Sequence, residues 1–390
     1  METWQIEGNP LKLGRFPYDN EEQSLRAWNG ADILLTEHLV SFSGGNACKV
    51  LLLNDSFGAL ACAALKNDCT VHTQIDSALA REALLQNLKL NALDPKKVTI
   101  VDSLAPLDFT LWKPDLVLMH VPKGNAMLEY QLLQLSSSQE GGAGIALCAG
   151  AMTRDVHNST IELFEKYIGE TKTSLASHKA RLIHSTFTRT GLTSPSPRIA
   201  PLAEPFLPAL ELVNYGGVFS ASGHDRGSLL LLRYLAENTE KSKAVSSIID
   251  CGCGNGLLAL TAAALFPEAS LICADESFMA VESSRAGFIR NGMEGHATFV
   301  WADCLHGIEK ESTDLILCNP PFHQGNGQSQ TLAIARRMFE HSRSCLKTGG
   351  SLLVVANRHL GHHKYLEQLF SRVTIVKENE QFMVIKAEKS

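Results

Sequence analysis

Short apolar runs alternate with stretches of helical periodicity throughout the second half of the chain. The predicted strands cover Ser247–Asp250, Leu271–Ala274, Thr298–Trp301, Asp314–Cys318 and Leu352–Ala356. The helical stretches between the first three cover Leu257–Phe266 and Ala280–Ile289. This alternation predicts a parallel sheet with helices on both faces, in which ligands bind beyond the carboxyl ends of the strands. Two last runs, Val373–Val376 and Phe382–Lys386, predict a closing antiparallel pair.

The first half repeats this rhythm, with predicted strands at Val50–Asp55, Val71–Ile75, Val98–Val101 and Asp115–His120. Carboxylates end or follow the strands at residues 55, 76 and 102 here, and at residues 250, 275 and 303 in the second half. We interpret the similar spacing as a duplication, although any two domains of this class share such a rhythm. The predicted fold class is α/β, with two doubly wound Rossmann-like domains in tandem. The first is degenerate because it lacks the glycine turn and the Asn-Pro-Pro run of the second.

The length of 390 residues also favours two domains. Five prolines fall between Thr193 and Pro208, and such a density is typical of an extended linker. The sequence therefore predicts a first domain over residues 1–192, a linker over 193–208 and a second domain over 209–390.

Composition limits the classes of partner. The net charge of −6 gives no global attraction for nucleic acid, so any such contact requires a local patch. The ten cysteines include no C-x-x-C pair, and Cys251-x-Cys253 is too tightly spaced for a zinc clip. We expect a reduced, cytoplasmic protein without a bound metal. The N-terminus lacks a charged and apolar leader, and no uncharged apolar run is long enough to span a membrane.

A glycine turn, Gly252-x-Gly254-x-Gly256, follows the first strand of the second domain. Glycines let the main chain approach a ligand closely, and the following helix directs free N–H groups towards it. The spacing differs from the G-x-G-x-x-G of dinucleotide-binding proteins. Asp250 suits a positive sulfonium, Asp275 is placed for ribose hydroxyls, and Asp303 for an adenine amine. The pattern predicts S-adenosylmethionine as the cofactor.

Asn319-Pro320-Pro321-Phe322 ends the fourth strand of this domain. The side-chain oxygen of Asn319 and the carbonyl of Pro320 can each accept one N–H of a planar exocyclic amine. This localises the nitrogen lone pair and stabilises the positive charge that develops during attack on a methyl group. The prolines stiffen the loop, and Phe322 can stack on a flat base. The sequence therefore predicts an N-methyltransferase, with Asn319, Pro320 and Phe322 as catalytic residues.

The run Asn319–His323 resembles the ribosomal RNA guanine-N2 methyltransferases, as do Gly217–Ser220 and Asp225-x-Gly227. The large-subunit (23S) branch, type G, is the most similar. Segments spread over nearly the whole chain carry that resemblance: Leu13–Pro17, Ala27-Trp28, Asn54–Leu60, Glu162–Lys166, Lys179–Leu182 and Asn357–Leu360.

The resemblance implies two methyltransferase-like domains, a degenerate one for RNA recognition and a catalytic one. It also implies methylation of N2 of one guanine in large-subunit RNA. Phe219 and Ser220 then lie near the methionine end of the cofactor. Two positions depart from the family pattern, since Ala221 stands where arginine is expected and His224 where leucine is expected.

Other functions remain open at this point. A small-subunit guanine-N2 enzyme, an adenine-N6 DNA enzyme and a protein-glutamine enzyme also use Asn-Pro-Pro, the last two usually with tyrosine next. The glycine spacing argues against a nicotinamide oxidoreductase. A non-catalytic RNA scaffold fits the first domain, but the intact Asp250, Asp275 and Asn319 argue against it for the second.

Residues 171–203 contain no Asp or Glu and form the most cationic local stretch. Phosphate contact is the natural use of such a segment, and we predict RNA binding by Lys172, Lys179, Arg181 and Arg189. An exocyclic amine inside a duplex is hard to reach. The expected partner is therefore ribosomal RNA that is naked or incompletely assembled.

Overall fold

A computed structural model of the chain describes residues 2–6, 10–17, 26–138, 145–189, 191–218, 225–239, 245–321 and 328–390. The chain divides into two compact units, Met1–Ser196 and Pro197–Ser390. Each unit has its own sheet.

The first unit contains nine strands and five α-helices among its described residues. The strands are β1 (Glu2–Trp4), β2 (Leu11–Leu13), β3 (Lys49–Leu53), β4 (Thr70–Ile75), β5 (Val98–Asp102), β6 (Leu116–His120), β7 (Ala146–Met152), β8 (Thr171–Thr173) and β9 (Ala180–Thr186). The helices are α1 (Gly30–Ser43), α2 (Ala59–Lys66), α3 (Ala78–Leu90), α4 (Asn125–Ser137) and α5 (Asn158–Tyr167).

Seven of these strands form one sheet in the order β5-β4-β3-β6-β7-β9-β8. The first five are parallel, while β9 pairs antiparallel with β7 and with β8. Val50–Leu53 in the middle of the sheet are fully buried, because helices cover both of its faces. Strands β1 and β2 form a separate small hairpin.

The second unit contains nine strands and five α-helices among its described residues. The strands are β10 (Arg198–Leu202), β11 (Leu210–Asn214), β12 (Ser247–Cys251), β13 (Ser270–Asp275), β14 (Ala297–Trp301), β15 (Thr313–Cys318), β16 (Leu346–Asn357), β17 (Arg372–Glu378) and β18 (Phe382–Glu388). The helices are α6 (Arg226–Glu237), α7 (Leu257–Leu265), α8 (Phe278–Arg290), α9 (Gln328–Cys345) and α10 (His362–Leu369).

The second sheet has the order β14-β13-β12-β15-β16-β18-β17, which repeats the order of the first strand for strand. The predicted fold class, two doubly wound domains in tandem, is confirmed. One apolar cluster fills each side of the sheet, with α6, α7 and α8 on one side and α9 and α10 on the other. Because β12, β13 and β15 are neighbours, their carboxyl ends lie together at one edge.

The structure corrects the sequence argument for the repeat. Gly58 begins α2 and Gly256 begins α7, and both are left-handed caps. The residue six positions before the cap is Asp250 in the second unit, but it is Leu52, and not Asp55, in the first. Asp55 lies three residues later, yet its carboxylate accepts the N–H of the third residue of α2, as Asp250 does from α7. The similar carboxylate spacing therefore does not reflect equivalent backbone positions, although the topology is repeated.

The other two pairs of carboxylates do not occupy equivalent positions either. Ser77 and Ser277 cap α3 and α8, so Asp76 corresponds to Glu276. Asp102 pairs with Ile75 at the end of β4, and Trp301 pairs with Asp275 at the end of β13. Asp102 therefore corresponds to Trp301 and not to Asp303.

The segment predicted as a linker, residues 193–208, contains β10, which pairs antiparallel with β11. The two compact units divide between Ser196 and Pro197, inside this segment.

Candidate active site

The glycine turn lies between β12 and α7. Gly252, Gly254 and Gly256 all have positive φ, at 79°, 53° and 80°, and side chains rarely adopt this region. A Cβ on Gly256 would lie 3.1 Å from the backbone of Ser284 on α8, so this glycine permits close packing of two helices. A Cβ on Gly254 would meet no atom within 4 Å. The middle of the turn therefore borders open space at the carboxyl edge of the sheet.

Asp250, on β12, is completely buried. One carboxylate oxygen accepts the backbone N–H of Ala259 at 3.0 Å. The other oxygen is buried and has no hydrogen-bond partner among the described residues. Burial raises the pKa of Asp250 to about 7, and the nearby Asp275 carboxylate adds to the rise. Such an acceptor can take a donor or a cation from a ligand, and Asp55 of the first unit has a buried oxygen of the same kind.

Asp275, at the end of β13, fixes the turn from the neighbouring strand. Its two oxygens accept the backbone N–H groups of Gly254 and Ser277, each at 2.9 Å. The backbone N–H groups of Gly252 and Cys253 donate to the carbonyl of Ala274, which precedes it. Asp275 and the glycine turn are thus joined by hydrogen bonds, while Asp250 holds the helix that follows the turn.

Asn319 follows β15 and has a defined amide orientation. Its side-chain nitrogen donates to a carboxylate oxygen of Asp225 and to the hydroxyl of Ser228, each at 2.9 Å. Both N–H groups are thereby used. Within the described ranges no group donates to its side-chain oxygen, which is left as an acceptor. Pro320, the next residue, is buried and holds the chain at this point.

Asp225 and Ser228 are functional candidates that the sequence did not identify as such. Asp225 caps α6 by accepting the N–H of Ser228 at 2.7 Å. An Asp three residues before a Ser is an ordinary capping pattern, so the sequence signals only a helix start. Its second role depends on Asn319, which is 94 residues away along the chain.

Asp303 lies on the segment after β14 and is held by a cation. Arg337 of α9 places a guanidinium nitrogen 3.1 Å from its carboxylate, and both side chains are largely buried. The Nε of Arg337 is buried and has no partner in the part of the chain that the structure describes. An adenine amine that binds Asp303 as predicted would therefore share this carboxylate with Arg337.

The corresponding edge of the first sheet has different chemistry. His120 follows Met119 on β6 as Asn319 follows Cys318 on β15. The His120 ring nitrogen lies 2.9 Å from the carboxylate of Asp32, which occupies on α1 the third-residue position that Ser228 occupies on α6. Burial lowers the pKa of His120, but Asp32 and Asp55 outweigh it and the net pKa is raised.

Three predicted site residues, Phe219, Ser220 and Phe322, lie outside the described residues. Ala221 and His224, the departures from the family pattern, lie outside them as well.

The four cations predicted to contact RNA lie on or beside the β8–β9 hairpin, at the edge of the first sheet. Lys172 is exposed and pairs with a neighbouring glutamate at 2.7 Å. Arg181 faces the opposite side of the sheet, because it is three residues from His184, the register partner of Lys172. Lys179 lies in the exposed turn, and Arg189 is exposed after β9. Lys172, Lys179 and Arg189 are therefore exposed, whereas Arg181 is half-buried and its Nε is enclosed.

Comparisons with known proteins agree with this architecture. Residues 1–189 match the family described as the RLMG N-terminal domain, and residues 209–386 match the methyltransferase small domain. A T. thermophilus 16S rRNA N2 G1207 methyltransferase, solved in complex with AdoMet and guanosine, matches with a TM-score of 0.76. That match covers 100% of this chain and 98% of the other at 21% identity, and it shows a common fold.

None of the described helices combines the length and the apolar content that a membrane span requires.

Curated relatives match along the full length. A ribosomal RNA large subunit methyltransferase G of Pseudoalteromonas translucida (strain TAC 125) is 40% identical over 389 residues, covering 99% of this chain and 98% of that protein. Another of the same name, from Klebsiella pneumoniae (strain 342), is 40% identical over 397 residues, covering 100% of this chain and 99% of that protein. This chain belongs to the ribosomal RNA large subunit methyltransferase G family.

Proposed function

We propose that this chain methylates the N2 exocyclic amine of one guanine in large-subunit (23S) ribosomal RNA, with S-adenosylmethionine as the methyl donor. The observation that carries the proposal is the state of Asn319. Its amide nitrogen is held by two partners, and its amide oxygen remains as an acceptor at the carboxyl edge of the sheet.

The residues at this edge fit the cofactor. The unpartnered oxygen of Asp250 and its raised pKa suit a positively charged ligand, which would favour the ionised carboxylate. Gly254 leaves space for a ligand next to the main chain. Asp275 is assigned to the ribose hydroxyls and Asp303 to the adenine amine, because each carboxylate oxygen can accept more than one hydrogen bond. Phe219 and Ser220 are assigned to the methionine end.

Asn319 and Pro320 bind the acceptor. The bound cofactor supplies an electrophilic methyl group on a sulfonium. The amide oxygen of Asn319 and the carbonyl of Pro320 each accept one N–H of the guanine amine, which draws the lone pair out of conjugation with the ring. The same two oxygens stabilise the positive charge that develops on this nitrogen. Phe322 is assigned to stacking on the base, which holds the amine in line.

Asp225 and Ser228 are positioning residues. An asparagine amide can rotate by half a turn and present its NH2 group where an acceptor is needed. The carboxylate and the hydroxyl accept both N–H groups, and the rotated form would bring the amide oxygen against the carboxylate oxygen of Asp225. A strong general base is unnecessary, because a methylated ammonium loses its proton readily to water.

The first unit is assigned to RNA recognition. Its cationic hairpin, with Lys172, Lys179, Arg181 and Arg189, supplies phosphate contacts that carry no sequence information. The amine must be accessible, so the substrate is RNA that is naked or incompletely assembled. Ribosomal RNA processing places the protein in the cytoplasm.

Labelled methyl donor distinguishes this function from its alternatives. The purified chain is incubated in parallel with naked 23S RNA, naked 16S RNA, assembled subunits, DNA and a release factor. We expect label in 23S RNA, on N2-methylguanine after nucleoside digestion. Label in 16S RNA, DNA or protein, with none in 23S RNA, would overturn the proposal.

The assignment of Asn319 has its own test. Asn319→Ala should lower transfer by about 100- to 1,000-fold, since it removes one oxygen that stabilises developing charge. Cofactor affinity by calorimetry should remain within about threefold, which would separate catalysis from binding. Asn46→Ala changes an exposed asparagine of the first unit and is the control. A fully active Asn319→Ala would contradict the assignment.

A further inference from the structure

Two histidines and a cysteine converge in the first unit, away from the carboxyl edge of its sheet. His38 lies on α1, Cys148 on β7 and His184 on β9. Cys148 and His184 are direct register partners in the antiparallel pair, so their side chains lie on one face. Helix α1 packs on that face and brings His38 over it, with the two imidazole rings 5.0 Å apart in an edge-to-face arrangement.

The potential ligand atoms of these three residues all lie within 4.8 Å of one another. Three atoms with such separations share a point within about 2.8 Å of each, whereas zinc requires about 2.0–2.3 Å to nitrogen and sulfur. Small side-chain rotations close that difference. Cys148 is fully buried, while both histidines are partly exposed, so a water molecule can reach the fourth position.

The ligand types and their protonation also suit an ion. Burial lowers the pKa of both imidazoles, and the neighbouring His184 lowers that of His38 further, so each ring is neutral at physiological pH and has a lone pair to offer. Burial raises the pKa of the Cys148 thiol to about 12, so an ion must displace its proton. Within the described ranges, no hydrogen-bond partner occupies the ring nitrogens of His38 and His184.

We propose that His38, Cys148 and His184 bind a divalent zinc ion, with water as the fourth ligand. The mixed nitrogen and thiolate set is the one that zinc prefers, and carboxylate-binding ions such as Mg²⁺ would find no oxygen ligand among these three side chains. The ion joins α1 to β7 and β9 and thereby stabilises the first unit. Because the ligands are 110 and 36 residues apart along the chain, no metal-binding motif marks them in the sequence.

Cobalt substitution tests the site in the full-length protein. The purified chain is freed of metal with a chelator and titrated with Co²⁺, whose thiolate complexes give a sulfur-to-metal absorption band in the near ultraviolet. We expect one equivalent to bind, with this band and with the visible bands of tetrahedral coordination. Zinc should then displace cobalt and raise the midpoint of thermal unfolding of the wild type.

Variants assign the band to the three residues. Cys148→Ala should abolish the thiolate band, and His38→Gln should weaken affinity at least about 100-fold, since loss of an outer-shell partner alone costs 10- to 100-fold. Cys62→Ala, another buried cysteine of the unit, and His72→Gln, a partly buried histidine of β4, should bind like the wild type. His38→Gln changes a partly exposed position on a helix, so it remains informative if Cys148→Ala does not fold.

Two results would overturn the proposal. One is the absence of a stoichiometric thiolate band in the metal-free wild type at micromolar cobalt. The other is binding by His38→Gln or Cys148→Ala that equals that of the two control variants.

Discussion

A carboxylate oxygen of Asp225 lies 2.9 Å from the amide nitrogen of Asn319 and 2.7 Å from the backbone nitrogen of Ser228. One oxygen therefore caps α6 and orients the amide beyond the end of β15. The orientation of the proposed catalytic group depends on where a helix begins, which couples local secondary structure to the chemistry of the site.

Asp225→Ala should lower the single-turnover methylation rate about 10- to 100-fold, because the amide of Asn319 becomes able to rotate. The lost cap should also lower the free energy of unfolding by about 1 kcal/mol. Asp94→Ala removes a carboxylate that caps a short turn of the first unit by accepting the N–H of Lys96 at 2.9 Å, and it should leave the rate unchanged. Wild-type turnover in Asp225→Ala would show that the amide needs no such support.

Gly254→Ala should weaken cofactor binding at least tenfold while lowering the free energy of unfolding by only about 1–2 kcal/mol, the strain of a left-handed residue. Its Cβ enters space that we assign to the ligand. Gly292→Ala, also at positive φ with no atom within 4 Å, has the same backbone strain at the end of α8. Calorimetry should show normal cofactor affinity for Gly292→Ala; equal affinity in both variants would contradict our placement of the ligand.

Gly256→Ala should behave differently from Gly254→Ala. Its Cβ would lie 3.1 Å from the Cα and 2.7 Å from the hydroxyl of Ser284, so α7 and α8 would have to separate. We expect a loss of about 2–4 kcal/mol in the free energy of unfolding, from overpacking together with left-handed strain. Denaturant titration measures it, and a loss no greater than that of Gly254→Ala would contradict the close packing.

Cofactor affinity should rise with pH through the titration of Asp250. With a pKa of about 7, the carboxylate is mostly protonated at pH 6 and mostly ionised at pH 8, so affinity for a cationic ligand should be about tenfold higher at pH 8. Stability should change in the opposite sense. Since folding raises this pKa from 3.8, the folded state binds more protons, and the Asp250 contribution falls as pH increases between about 4 and 7.

Asp250→Asn isolates both effects. It should remove that part of the pH dependence of stability and weaken cofactor binding at every pH. Calorimetry and thermal unfolding between pH 5 and 8.5 measure them. Unaltered pH profiles in Asp250→Asn would assign the titration to another group.

Asp32→Asn should lower the free energy of unfolding by about 3 kcal/mol, because it leaves buried His120 without its ionic partner. The pKa of His120 is raised, so the ion pair stabilises fully at acidic pH and its contribution falls as pH increases through that raised pKa. The difference between wild type and variant should therefore shrink towards pH 9. Asp68→Asn, which breaks an exposed pair with Lys97, should change stability by less than about 1 kcal/mol. Equal effects of the two variants would argue against a buried ion pair.

Much of the fold follows from the sequence because its signals are local. The run from Leu257 was predicted to be helical and forms α7, since glycines at positive φ precede it and apolar residues continue it. The closing pair near the C-terminus was also predicted and forms β17 and β18. The strand of residues 198–202 was missed, because prolines at 197 and 201 are typical of a linker and the pairing partner β11 is defined only by tertiary structure.

The candidate site could be predicted only where its residues follow strand ends. Asp250, Asp275 and Asn319 were assigned to it in this way. Asp225 as an orienting group was not, because its contact with Asn319 links distant parts of the chain. Asp55 was wrongly equated with Asp250. It lies three residues after the position that corresponds to Asp250, and the spacing along the chain does not show this. Arg337, which holds Asp303, comes from α9 and has no local signal either.

In the first unit, His120 and Asp32 form an ion pair at the carboxyl edge of the sheet. At the corresponding edge of the second unit, the amide oxygen of Asn319 remains available. Because Asp32 and His120 pair with each other, we expect this edge to bind a nucleoside poorly. Each polypeptide should therefore bind one equivalent of methyl donor, although it contains two domains of this fold. In the function proposed above, the first unit then contacts the RNA while the second performs the transfer.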